Sequence, residues 1–292
     1  MAVRYGAHLP LLQLDAAPRT LADLRAYAAR AAALGFEVLA ANDHLLFGRP
    51  WLDGPSALAA TFDAAPGMTI ATTVALPVVR GPVQTAKLLA ALDILSGGRL
   101  IAGVGPGSSA RDYAAIGISF EERWRRFDEA IPVVRSLTSA PIWIASWGAP
   151  AGLRRVARLG DGWLASGYNT SPARFRESLA LLSGELRAAA KSADAFPNAI
   201  ATMWLYVTDT QREAERMLAD VLAPLLGRPA EVVRSLDLPI GPPALCAERI
   251  GAYVSAGAQG IFVWPLANDL EQLERFRAEV VPLVSRRRAD HD

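Results

Sequence analysis

The feature that most limits what this chain can fold into is a joint used three times. A helix runs into a glycine and then into a buried strand at "AALGFEVLA" (32–40), "ARLGDGWLA" (157–165) and "SAGAQGIFVW" (255–264). Short αβ connections of this kind belong to parallel sheets, whose neighbouring strands must be joined by a crossover. In the first copy Thr20 stands as N-cap before "LADLRAYAARAAAL", with Leu21, Leu24, Ala28, Ala31 and Leu34 on one face. Gly35 follows the helix end, where left-handed backbone is usual. Further β-type runs place strands at Val3–Leu9, Phe36–Ala40, Met68–Leu76, Leu100–Val104, Ile142–Ala145, Gly162–Ser166, Ala199–Val207 and Gly260–Trp264. Helical stretches lie between them near 83–95, 121–137, 150–159, 172–190, 211–226, 243–256 and 269–285. Strands alternating with helices in this number predict a closed (β/α)8 TIM barrel, with residues 1–292 as one domain. An open doubly wound sheet needs a glycine-rich loop straight after its first strand, and "HLPLLQLDAAP" has no glycine.

Composition narrows the partners. A net charge of +1 gives no reason to expect nucleic acid. Cys246 is the sole cysteine, so no disulfide framework exists and a reducing, cytoplasmic setting is expected. The start, "MAVRYGAHLPLLQLD", lacks the apolar core of a signal peptide and reads as a first strand, and no run suits a membrane span.

In such barrels chemistry sits where strands end and βα loops begin. Asp43-His44 follows the second strand directly. His44 either transfers a proton there, since imidazole titrates near neutrality, or merely satisfies nearby carbonyls. No metal site is expected, because His8 and His291 are the only other histidines and no Cys/His cluster exists. Thr72-Thr73-Val74 is β-branched and strand-like, but Pro77 and Pro82 close the segment off. Gly103, Gly105 and Gly107 end the fourth strand, either to let backbone approach a flat ligand or to make a tight loop. Arg111 and Asp112 are either a surface pair, the preferred reading, or a substrate contact. After Ala145-Ser146, the run Trp147-Gly148-Ala149 leads to Pro150 at a first helical position. Free N–H groups at that helix start, with the Ser146 hydroxyl, make an anion site; the plainer reading is that Ser146 caps the helix.

Together these segments resemble the bacterial luciferase-like superfamily of flavin- and deazaflavin-dependent oxidoreductases. The resemblance lies in "LGFEVLAANDHLL" (34–46), "IATTVALPVVRGPVQTAKLLAALDILSGGRLIAGVG" (70–105), "GISFEERWRRFDEAIPVVRSL" (117–137), "PIWIASWGAPAGLRRVARLGDGWLASG" (141–167) and "LEQLERFRAEVVP" (270–282). It implies a barrel holding coenzyme F420, or alternatively FMN, across its mouth. By position, it implies Asp43 and His44 beside the cofactor ring and Thr72, Thr73, Val74 and Gly105 against it. A cis peptide is implied at Thr73–Val74, and a phosphate loop made by Ser146, Trp147, Gly148 and Ala149.

The expected reaction is hydride transfer between F420 and a small organic substrate, with His44 as the catalytic residue. A second reading is an FMN-dependent monooxygenase fed with reduced flavin by a partner reductase, its pocket dried by Trp51, Trp147, Trp163 and Trp264. A third is a non-catalytic flavin- or deazaflavin-binding protein. The F420-dependent sugar-phosphate and alcohol dehydrogenases of this superfamily have a glutamate after the fourth strand and a tryptophan just past the histidine. Here those places hold Pro106 and Gly48, with Trp51 only nearby, which argues against both substrate classes. "SLTSAPIW" also lacks the long insertion many relatives have, predicting a smaller or more open pocket. The superfamily commonly forms homodimers, for which "AYAARAAAL" and "KLLAALDIL" are candidate faces. Arg228 and Arg234 are read as solvated surface arginines.

Overall fold

Strand pairing runs in a ring. The computed structural model describes residues 3–14 and 19–289. In it β1 (Arg4–His8), β2 (Val38–Ala41), β3 (Thr69–Thr72), β4 (Leu100–Val104), β5 (Ile142–Ala145), β6 (Gly162–Ser166) and β7 (Asn198–Val207) pair in parallel, each with the next. β7 then pairs with β9 (Gly260–Pro265), and β9 with β1, which closes an eight-stranded (β/α)8 barrel. The short β8 (Ile240–Gly241) lies outside the ring and pairs only with β7.

Side chains alternate across each strand, which splits the apolar residues into two shells. Val38, Ala40, Ala71, Ile101, Trp143, Leu164, Ala199, Ala201 and Phe262 form the inner cluster. The larger outer cluster packs the other strand faces against the helices. Two inner rings fit because glycines stand beside them. A Cβ on Gly6 would lie 2.5 Å from the Phe262 ring, and one on Gly162 would lie 2.5 Å from the Trp143 ring.

Several elements depart from the periodicity. The third strand stops at Thr72 instead of reaching Leu76; residues 73 and 74 bulge, and Ala75 then bridges back to Val104. Two short helices, Gly54–Thr61 and Ala110–Ala115, lie in loops that show no helical repeat. The 211–226 helix widens to a π-turn at Met217–Leu222 just before Pro224, and the last helix does so at Phe276–Val280 before Pro282. A proline cannot donate to the carbonyl four residues back, so the turn upstream of it regroups its hydrogen bonds.

Candidate active site

The C-terminal ends of β2 to β6 and the loops that leave them, with Ala201 and Thr202 of β7, surround a cavity of about 720 Å³. Asp43, His44, Thr73, Val74, Gly105, Ser146, Trp147 and Ala149 all line it. Thr72 and Gly148 do not. Strand parity turns Thr72 outward, and its hydroxyl donates to Gly103 O at 2.7 Å. Gly148 (φ 90°) forms the bend behind the wall, where a Cβ would meet Ser178 Oγ at 2.3 Å.

His44 is held on two sides. Its ring packs against Trp51 and Phe47, with centroids 4.8 and 5.3 Å away. Nδ1 lies 3.4 Å from Asp112 Oδ2, an ion-pair distance and not an aligned hydrogen bond. Asp112 is not the surface residue its sequence suggests. It sits on the first turn of Ala110–Ala115, is 1% exposed, and its Oδ1 accepts the Leu46 N–H at 2.9 Å. Burial alone would raise this carboxyl, but His44 and the Leu46 and Leu45 N–H groups outweigh it and leave it below its usual range. Arg111 is exposed.

Asp43 is already partnered. Arg80 Nε and Nη2 donate to its two oxygens at 2.5 and 2.6 Å, and Arg80 also bonds Asp53, the N-cap of Gly54–Thr61. Asp43 therefore lines the cavity while anchoring the loop that follows β3.

That loop carries the expected cis peptide at Thr73–Val74. The Thr73 N–H donates to Ala41 O and the Ala75 N–H to Gly103 O, so the bulge is pinned from both neighbouring strands. Glycines let it fit. A Cβ on Gly103 would lie 1.9 Å from Thr72 O, and one on Gly105 would lie 2.8 Å from Val74 Cγ2. Beneath it is His8, a residue the sequence reading left without a role. It is fully buried, stacks on Trp264, and accepts the Thr202 N–H at Nε2, 3.1 Å away. Thr202 has φ 53°, at the place where β7 gains a residue against β9. Burial pushes the His8 imidazole down to about 3, so it is neutral. Its one sequence signal was its place at the end of β1.

Further round the mouth, Pro150–Leu159 begins with no side-chain cap. The Ser146 hydroxyl instead accepts the Gly148 N–H at 3.3 Å, so the plainer capping reading does not hold. Ala151 and Gly152 of the first turn line the cavity, with Arg155 one turn further on and Arg123 and Trp124 beside it. A Cβ on Gly152 would strike Ser146 Oγ at 2.3 Å. The Arg155 guanidinium lies 4.6 Å from the Trp124 ring and bonds Asp128; Arg123 lies 3.9 Å from the Phe120 ring. Trp147 is 53% exposed at the rim, while Trp163 is core and stacks on Phe175. Arg228 is engaged with Tyr168 O and Asn169, and Arg234 with Glu215, so neither is a free cation. Among the described residues, no group of three or more His, Cys, Asp or Glu is placed to hold a metal ion. No helix among them is long and apolar enough to cross a membrane.

This barrel and its site place the chain in a known class. It belongs to the luciferase-like monooxygenase family, whose model matches residues 7–140 and 136–260. One relative is an F420-dependent glucose-6-phosphate dehydrogenase of Amycolatopsis mediterranei (strain U-32). It is 30% identical over 49% of this chain, a match that spans 52% of the relative's length. Another protein of that name, from Kribbella flavida (strain DSM 17836 / JCM 10339 / NBRC 14399), is 26% identical over 97% of this chain and 99% of its own. Among solved structures, an F420-dependent secondary alcohol dehydrogenase in complex with an F420-acetone adduct superposes with a TM-score of 0.82. Its identity is 19%, over 97% of this chain and 99% of that one.

Proposed function

We propose that this protein is an F420-dependent oxidoreductase that moves a hydride between the deazaflavin and a small, uncharged organic substrate. The carrying observation is the polarity of the cavity. An uncapped helix start with Arg123 and Arg155 lies on one side, and His44 with the Thr73–Val74 bulge on the other. β2 and β5 stand three strands apart in a ring of eight, with β3 and β4 between them, so the cavity spans these features along one side of the mouth. A long cofactor with an anionic tail suits that span. The Ala151 and Gly152 N–H groups and Arg155 would hold the phosphate. Val74 and Gly105 would support the ring, since the glycine leaves room that a Cβ would take. The names of the relatives favour F420 over FMN.

When bound, F420 supplies the hydride acceptor or donor at ring carbon C5. The chain supplies the rest. His44 lines the cavity with Nδ1 facing Asp112, which leaves Nε2 as the nitrogen to exchange a proton with the substrate. In reduction it gives a proton to one substrate atom as the neighbouring carbon receives the hydride; in oxidation it takes that proton back as the hydride leaves. Val74, Leu76 and Pro106 line this part of the cavity with apolar surface. With Pro106 at the strand end, that surface favours a neutral substrate over a sugar phosphate.

The test mixes the purified protein separately with F420 and FMN and follows ring fluorescence and tryptophan quenching. Saturable F420 binding with FMN at least tenfold weaker is expected; binding of neither overturns the reading. His44→Ala should lower turnover by about 100-fold while F420 affinity changes little.

A further inference from the structure

We propose that Asp112 is a positioning residue for His44, fixing its protonated nitrogen and supporting the imidazolium when the other nitrogen takes a proton. This rests on the proton-transfer role proposed for His44. The carboxylate lies within the protein, and each of its oxygens faces the loop after β2. One oxygen accepts from the Leu46 backbone; the other faces His44 Nδ1 at 3.4 Å. The ring is tied from its far side by Trp51 and Phe47, so it cannot swing away without breaking aromatic contacts.

An ionised carboxylate only accepts hydrogen bonds. Facing Nδ1, it fixes the neutral ring with the proton on Nδ1 and the lone pair on Nε2, the nitrogen left for the cavity. The contact is longer than a good hydrogen bond, as catalytic pairs commonly are before a ligand tightens them. Among the other charged groups nearby, Asp43 is bound by Arg80, Arg111 points to solvent, and Arg123 lies on the cavity wall next to the Phe120 ring. Asp112 is thus the carboxylate available to His44. It comes from the helix beyond the β4 loop, not from the strand end, where Pro106 stands.

A purely structural Asp112 would only pin the 44–47 loop through Leu46. Asp112→Asn separates the roles, because its amide oxygen still accepts the Leu46 N–H while the charge is lost. The first readout needs no cofactor: proton NMR titration of the histidines, with the His44 signal assigned by its loss in His44→Gln. His8 stays neutral above about pH 3 and does not interfere. The His44 titration in Asp112→Asn should move down by about one pH unit relative to wild type. In the loaded enzyme kcat should fall by about 100-fold with KM and F420 affinity within threefold, and Asp112→Glu should recover part of the loss. Should Asp112→Asn fail to fold by circular dichroism, Asp112→Ala replaces it, with the same downward shift expected and a titration coincident with wild type counting against the proposal. Coincident wild-type and Asp112→Asn titrations with kcat within threefold would reduce Asp112 to a loop anchor. Failure to bind F420 would instead overturn the functional reading, and the titration would still decide whether Asp112 governs His44.

Discussion

His8 and His44 share one barrel mouth and behave as opposites. His44 lines the cavity, whereas His8 is sealed between Trp264, Thr73 and Thr202. With no carboxylate beside it, burial is what lowers the His8 imidazole from 6.5 to about 3. The linkage has a definite sign. Below about pH 6.5 the unfolded chain binds a proton that the folded chain refuses until about pH 3. Stability from His8 is therefore complete above that window and is lost as the pH falls through it, by at most about 1.4 kcal/mol per pH unit. Urea unfolding of wild type and His8→Gln from pH 8 to 4 should give curves whose difference is flat above about pH 6.5 and slopes below it. Parallel curves throughout would show that His8 does not carry this dependence. Sequence gave His44 a role because it ends an apolar run beside Asp43. Nothing in the sequence revealed that Asp112, far along the chain, turns inward to meet it, because that contact depends on how two loops cross the barrel mouth.

At the scale of elements, the β3 bulge is positioned by a clamp whose parts come from three places. Arg80 reaches from the loop after β3 to Asp43 at the end of β2 and to the N-cap of Gly54–Thr61. Removing one partner from a largely buried ion pair strands the remaining charges, which usually outweighs the net worth of the pair. Arg80→Gln should destabilise the protein by about 2–4 kcal/mol, with Arg80→Lys recovering only part, since an ammonium cannot match the forked geometry. A loss below about 0.5 kcal/mol in urea unfolding would show the clamp to be dispensable. Barrel strands were legible where apolar runs met glycines, as in "LGFEVLA" and "LGDGWLA". The third strand was overextended because Thr73 and Val74 have strand-like side chains although their backbone bulges. The helix Ala110–Ala115 escaped notice because six residues are too few to show a helical period.

For the whole molecule, closure is the property that binds distant sequence together. β1 is hydrogen-bonded to β2 on one side and to β9 on the other, so the two ends of the chain complete one sheet. Neither half retains that ladder alone. The inner cluster likewise draws side chains from β2 to β7 and from β9, so opening any strand exposes residues on the others. The repeated αβ joint made this architecture readable in advance, because a parallel sheet with short crossovers and no nucleotide loop has few ways to finish. What the joint does not encode is how the loops above the barrel pair their charges, and that arrangement makes the site. If the barrel is one cooperative unit, thermal unfolding should show a single transition. Far-UV circular dichroism reports the whole sheet and helix content. Trp143 inside the barrel, Trp163 against the helices and Trp264 beneath the mouth sample its separate layers by fluorescence. Both signals should give the same midpoint, and the calorimetric and van't Hoff enthalpies should agree. Two resolved transitions, or a fluorescence midpoint several degrees from the circular dichroism midpoint, would mean that the chain holds more than one folding unit despite its closed sheet.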